Sequence, residues 1–128
     1  MLAPCRLCPW QCGVDRTKGA KGRCRAGSTA RVAKAVPHFG EEPVISGSRG
    51  SGTIFFSHCN LHCCFCQNYQ ISHEALGEDV TVARLSNIML GLQEQGCHNI
   101  NLVSAAQHLP FIVQALNSAA AQGLSCPI

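Results

Sequence analysis

Ten of the 128 residues are cysteine, and they gather in two tight groups, Cys5, Cys8, Cys12 and Cys24, then Cys59, Cys63, Cys64 and Cys66, with Cys97 and Cys126 standing apart. At this density a disulfide scaffold or a metal protein is the leading explanation, and the two predict different compartments. Met1–Trp10 reads MLAPCRLCPW, without the basic start and apolar run of a secretory leader. No stretch approaches the length of a membrane span. The expected setting is cytoplasmic, where thiols stay reduced and clustered cysteines bind metal more often than each other.

The first group lies in residues 1–29, which are rich in glycine and basic side chains and poor in periodic apolar positions. A bound metal has to stand in for a core there. The remainder is different. Hydrophobic residues make up 46% of the chain, enough for one domain with one core. The formal charge of +3 is spread along the sequence with few aromatics beside the basic residues. No nucleic-acid partner is expected from that pattern, and no membrane partner either.

Residues 30–128 alternate between two periods. A short strand is expected between Arg31 and Val36, and Pro37 and Gly40 mark a turn. The glycine-rich run GSRGSG at 47–52 leads into Thr53-Ile54-Phe55-Phe56, a buried strand by its β-branched and aromatic content. After the second cysteine group, Thr81 can cap a helix carrying Val82, Leu85, Met89 and Leu92 at helical spacing, with Gly96 to end it. Asn99–Ser104 reads as another strand. Pro110 suits the first turn of a helix through Ile112, Val113, Leu116, Ala119 and Ala120 that Gly123 closes. Cys126-Pro127-Ile128 falls where a third strand would begin.

Strand, helix, strand, helix is the signature of βα units feeding a parallel sheet. A closed barrel of such units takes about 250 residues. Two units leave sheet edges open. The expected fold is therefore α/β: a Cys-rich metal-binding segment over 1–29, then over 30–128 about two βα units of an incomplete (β/α) barrel, truncated at the start of its third strand.

Cys59, Cys63 and Cys66 have the spacing C-x3-C-x2-C in a loop that leaves the strand Thr53–Phe56. Three thiolates so close can converge on one cubane, and three ligands for four irons leave one iron open; electron-transfer clusters usually take four cysteines. An open iron is what a site needs to chelate S-adenosylmethionine and pass it an electron, with the protein positioning the chemistry that the cofactors perform. A zinc site is the alternative, with His58, His62 or His73 completing a tetrahedral set. Cys64 does not fit the spacing and reads as a buried or incidental thiol.

Cys59, Cys63, Phe65 and Cys66 match C-x3-C-x-aromatic-C, and by this loop the chain resembles the radical-SAM superfamily. HFGEEPVISG at 38–47, GSGTIFFSHCNLHCCFCQNYQIS at 50–72 and GCHNINLVS at 96–104 resemble more narrowly its pyruvate formate-lyase-activating-enzyme-related group. The resemblance covers nearly the whole chain. It implies a [4Fe–4S] cluster on Cys59, Cys63 and Cys66, S-adenosylmethionine as cofactor with Phe65 beside its adenine, and reductive cleavage to a 5′-deoxyadenosyl radical. It also implies an electron donor such as flavodoxin or ferredoxin and, as a candidate substrate, a glycyl-radical-type protein. In that group the second strand leads into Thr-Pro-Thr-His, whereas this chain has Ser104-Ala105-Ala106-Gln107-His108. The alternative is a non-catalytic cluster- or zinc-binding fragment serving as a partner-binding module.

Cys5, Cys8, Cys12 and Cys24 supply four thiolates, with glycines between them for tight turns. Structural Zn²⁺ and an auxiliary [4Fe–4S] cluster both fit four sulfurs. The same related group carries an N-terminal segment of the form CxLCPxxCGVDR. Asn68 and Tyr69 close the second loop and can bond to its sulfurs or shield them. His108 follows the second strand, at the sheet edge where ligands of α/β folds collect, as a cofactor contact or a helix-entry polar residue. Cys97 reads as packing, and Glu41 and Glu42 as structural or cofactor-positioning. No residue is assigned a catalytic acid or base role.

Overall fold

The computed structural model describes residues 1–128. Four strands, β1 (Ala30–His38), β2 (Ser51–Phe56), β3 (Glu78–Val80) and β4 (Ile100–Val103), form one sheet in the order β3-β1-β2-β4. Four helices accompany it: α1 (Pro43–Ser46), α2 (Tyr69–Ser72), α3 (Val82–Glu94) and α4 (Leu109–Ala121). Residues before β1 hold only a 3-10 turn at Arg16–Lys18 and an isolated bridge between Leu2 and Cys5.

The sheet is mixed, which corrects the expectation of a parallel one. β2 and β4 pair in parallel from Gly52↔Ile100 to Phe55↔Val103, as a βα unit requires. β1 runs antiparallel to β2 from Val32↔Phe56 to His38↔Ser51. The connection 39–50 carries only the one-turn α1, not the crossover helix a parallel return needs. β3 adds to the other side of β1, also antiparallel, through Ala30↔Val80 and Val32↔Glu78. Its sequence, Glu-Asp-Val, shows no apolar alternation and gave no strand signal.

The core lies between this sheet and α3 and α4. Ile54 and Phe56 share one face of β2 by the two-residue period, and they join Val32, Leu85, Met89, Leu92, Ile100 and Ile112 in one buried cluster. α4 packs along α3, and its buried Ala115 and Ala119 leave room for that approach. α3 begins where expected: the Thr81 hydroxyl accepts from Arg84 N at 3.1 Å, satisfying a first-turn donor. Thr81→Ala is expected to cost about 1 kcal/mol, read as a lower urea midpoint at unchanged slope.

Cys126–Ile128 forms no strand. The Pro127 carbonyl nevertheless accepts from Ile100 N at 2.8 Å, on the side of β4 away from β2. No helix is long and apolar enough to cross a membrane.

Candidate functional site

Because β2 and β4 are parallel, their C-terminal ends share one edge of the sheet, the edge at which open α/β sheets collect ligands. The loop with Cys59, Cys63 and Cys66 leaves β2 there, and Ser104–His108 leaves β4 beside it. The two are tied together under the loop entrance. Gln107 Nε2 donates to the carbonyls of Ser104 at 2.6 Å and His58 at 3.0 Å. His108 Nε2 donates to the Ser57 carbonyl at 2.9 Å. On the other side His58 N donates to Ile71 O at 3.0 Å. Gly77, at φ +135°, lets the returning chain pass over β1, since a Cβ there would sit 2.6 Å from the Val32 carbonyl.

Gln107 and His108 are fully buried. Burial pushes the His108 imidazole down to about 4, partly offset by its bond to Ser57 and reinforced by the Arg16 guanidinium. Its ring stacks on Phe56 with centroids 5.4 Å apart. His108, read as a cofactor contact or a helix-entry polar residue, stands at the entry to α4 and braces the loop from beneath. Half-buried His58 is also pushed down to about 4, by desolvation and then by the charges of Lys21 and Arg31.

In the loop itself, Cys59, Cys63 and Cys66 are all half-buried. Cys66 N donates to Cys63 O at 3.2 Å, bending the chain into one turn. Two sulfurs accept hydrogen bonds: Cys59 from Leu61 N at 3.4 Å and Cys66 from Ser72 Oγ at 3.3 Å. Asn68 makes no such bond; it precedes α2, and its carbonyl accepts from Ile71 N and Ser72 N. Ser72, which no local sequence pattern signalled, makes a bond to sulfur of the kind expected of Asn68 or Tyr69. Phe65 is 86% exposed. Cys64, read as a buried or incidental thiol, is exposed.

The histidines offered as zinc ligands divide. His62 and His73 meet edge-on with centroids 4.8 Å apart, and Tyr69 stacks on His73 at 4.5 Å. Desolvation, with His73, Arg23 and Arg25 nearby, lowers the His62 pKa. His58 turns instead toward His108, at 6.5 Å.

The first cysteine group sits on a narrow hairpin. Cys5 N donates to Val14 O and Gly13 N to Cys5 O, both at 2.9 Å, and Gln11 N closes the turn on Cys8 O at 3.0 Å. The left-handed backbone at Gln11 (φ 42°) and Gly13 (φ 69°) makes that turn. Arg23 N donates to Cys12 Sγ at 3.3 Å, bringing the turn before Cys24 onto the hairpin. Burial pushes the Cys24 thiol up; an Ala26 backbone bond and Arg16 oppose this, and Cys8 and Cys5 are close enough to add to it.

This segment docks on the second loop. Trp10 Nε1 donates to Asn60 O at 2.8 Å, and the Arg23 guanidinium lies over the Trp10 ring at 4.8 Å. Arg16 is 1% exposed. It donates to Gly27 O through Nε at 2.8 Å and to Gln107 O through NH1 at 2.8 Å, joining the hairpin to the start of α4. Both cysteine groups therefore share one edge of the molecule, while a cavity of about 690 Å³ between β1, Gly77–Glu78 and α3 contains no cysteine.

As arranged, no three Cys, His, Asp or Glu side chains converge closely enough to hold a metal ion. The donor chemistry still fits a soft metal or an iron–sulfur cluster. Thiols are carried on two tight loops, and hydrogen-bond donors reach Cys12, Cys59 and Cys66. Closing either set requires the thiols to swing inward. Cys97 is buried in the core, with its thiol pushed up by desolvation, and belongs to neither. Glu41 lies 3.4 Å from His38 Nδ1, and Glu42 precedes α1, so both acids remain with the β1–β2 connection.

No family model matches the chain, and no solved structure matches it. Among curated proteins, an uncharacterized protein of Methanocaldococcus jannaschii is 40% identical over 68 residues, which are 53% of this chain and 19% of that protein. The matched region thus spans about a fifth of the relative's length.

Proposed function

We propose that the chain carries a radical-SAM iron–sulfur site, in which Cys59, Cys63 and Cys66 hold a [4Fe–4S] cluster at the start of a partial (β/α) barrel. The observation that carries this reading is the C-x3-C-x-Phe-C loop leaving β2 at the edge it shares with its parallel neighbour β4. When bound, a cluster with one open iron supplies an electron for reductive cleavage of S-adenosylmethionine to a 5′-deoxyadenosyl radical.

The chain's own residues then have definite tasks. Gln107 and His108 hold the loop entrance through the Ser57 and His58 carbonyls. Leu61 N and Ser72 Oγ donate to two of the loop's sulfurs and orient them. Phe65, exposed beside the cysteines, offers an apolar face for an adenine ring, and Asn68 lies in the same loop as a cofactor contact. Cys5, Cys8, Cys12 and Cys24 form a second metal site, for Zn²⁺ or an auxiliary cluster. An electron donor such as flavodoxin or ferredoxin and a glycyl-radical-type protein substrate complete the proposal, in a cytoplasmic setting.

A non-catalytic zinc-binding module is the second reading. It is favoured by the His62–His73 pair beside the loop, which supplies imidazole nitrogens as ligands. Anaerobic reconstitution separates the two. The expected result is a brown protein with about four irons at the loop, lost in Cys63→Ala, and release of 5′-deoxyadenosine above that variant's background. Zinc alone at the loop would overturn the radical reading; iron without 5′-deoxyadenosine would leave a non-catalytic cluster.

A further inference from the structure

Arg16 is 1% exposed, yet it takes part in none of the chain's ion pairs. A guanidinium keeps its charge in a protein, and arginine is seldom fully buried without a partner of opposite sign. The one acid in residues 1–29, Asp15, is turned elsewhere: it caps Thr17 N and lies 3.9 Å from Lys18 Nζ. The Gly27 and Gln107 carbonyls orient the guanidinium. Carbonyl dipoles solvate a charge without cancelling it.

What lies beside this charge is the first cysteine group. Arg16 NH1 stands 3.9 Å from Cys5 Sγ, and Gly27, whose carbonyl accepts from Arg16 Nε, follows Cys24 by three residues. Cys5 and Cys24 are the buried members of the group, whereas Cys8 is half-buried and Cys12 exposed. Arg16 thus occupies the enclosed side of the group, where water and salt screen a charge least. Zn²⁺ or a [4Fe–4S] core held by four thiolates is an anionic unit in either case.

We propose that Arg16 is the counter-charge of the first metal site: its buried guanidinium neutralises the anionic unit that Cys5, Cys8, Cys12 and Cys24 form on taking up metal. It is a positioning residue, not a ligand. The proposal rests on the reading of those four cysteines as a metal site and is independent of radical chemistry at the second loop. A counter-charge and a purely structural arginine differ in what lysine can replace. One ammonium cannot serve both carbonyls in the fork geometry, so Arg16→Lys and Arg16→Gln both lose the docking bonds, but only lysine keeps the charge.

The test titrates Co²⁺, a coloured stand-in for Zn²⁺, into the reduced full chain against a competing chelator and follows the sulfur-to-cobalt absorption. The part of the signal lost in Cys8→Ala belongs to the first site. Arg16→Gln is expected to hold cobalt there roughly tenfold more weakly than the parent, and Arg16→Lys within about threefold of it. Loss of the docking bonds lowers both variants alike, so the gap between them reads the charge even where neither reaches the parent's stability.

Equal weakening in the two variants, or a parent-like affinity in Arg16→Gln, would overturn the proposal and leave the metal-site reading standing. A parent without a Cys8-dependent cobalt signal would remove that reading and the proposal together.

Discussion

Replacing Arg16 with alanine is expected to destabilise the fold by about 2–4 kcal/mol. Arg16 is the largest fully buried side chain, and its guanidinium is satisfied by carbonyls rather than by an acid. Two nitrogens reach Gly27 O and a third reaches Gln107 O. Alanine leaves those acceptors without donors and opens a cavity between the hairpin and α4. Arg16→Lys recovers little, because one ammonium on a shorter reach cannot serve both carbonyls in the fork geometry. The measurement is urea unfolding followed by circular dichroism; a loss below about 1 kcal/mol would mean the hairpin docks mainly through Trp10 and Asn60. Because Gln107 also holds the loop entrance, the same variant is expected to loosen protection of the His58–Ile71 amides in hydrogen exchange.

Acid should weaken the fold between pH 6.5 and 4, and His108 is the principal cause. The buried ring stays neutral in the folded chain down to about pH 4, whereas the unfolded chain protonates it near 6.5. The unfolded state thus binds more protons within that window, so stability is fully present above it and falls as pH drops through it. His108 alone accounts for about 3 kcal/mol across the window. His58 has the same direction but less weight, because solvent screens a half-buried group. His108→Gln keeps an N–H for the Ser57 carbonyl and does not titrate. Unfolding free energies at pH 7 and 4.5 should differ much less in that variant than in the parent, and an equal difference would remove His108 as the cause.

The recurring elements of the chain were readable because their causes are local. Thr81 begins α3 by capping its own first turn, and Thr53–Phe56 reads as a strand because its side chains suit a buried pleat. Pro110 falls in the first turn of α4. The cysteine spacing likewise named the candidate ligands before any fold was known. Strand direction was not readable at β1, since pairing depends on what the 39–50 connection can span, and three-residue β3 carries too little pattern to be seen.

The site's supports were hidden for a related reason. Arg16 meets Gln107 across 91 positions and Trp10 meets Asn60 across 50, and such bonds leave no periodic trace. Ser72 lies six residues beyond Cys66, yet only the turn into α2 brings its hydroxyl to the sulfur. By itself the sequence named the candidate ligands and located β1, β2, β4, α3 and α4, because spacing and side-chain shape act within a few residues. Only the tertiary structure decided the mixed sheet, the docking of residues 1–29 beside the loop and the donors at Cys12, Cys59 and Cys66, because those depend on the geometry of chain return.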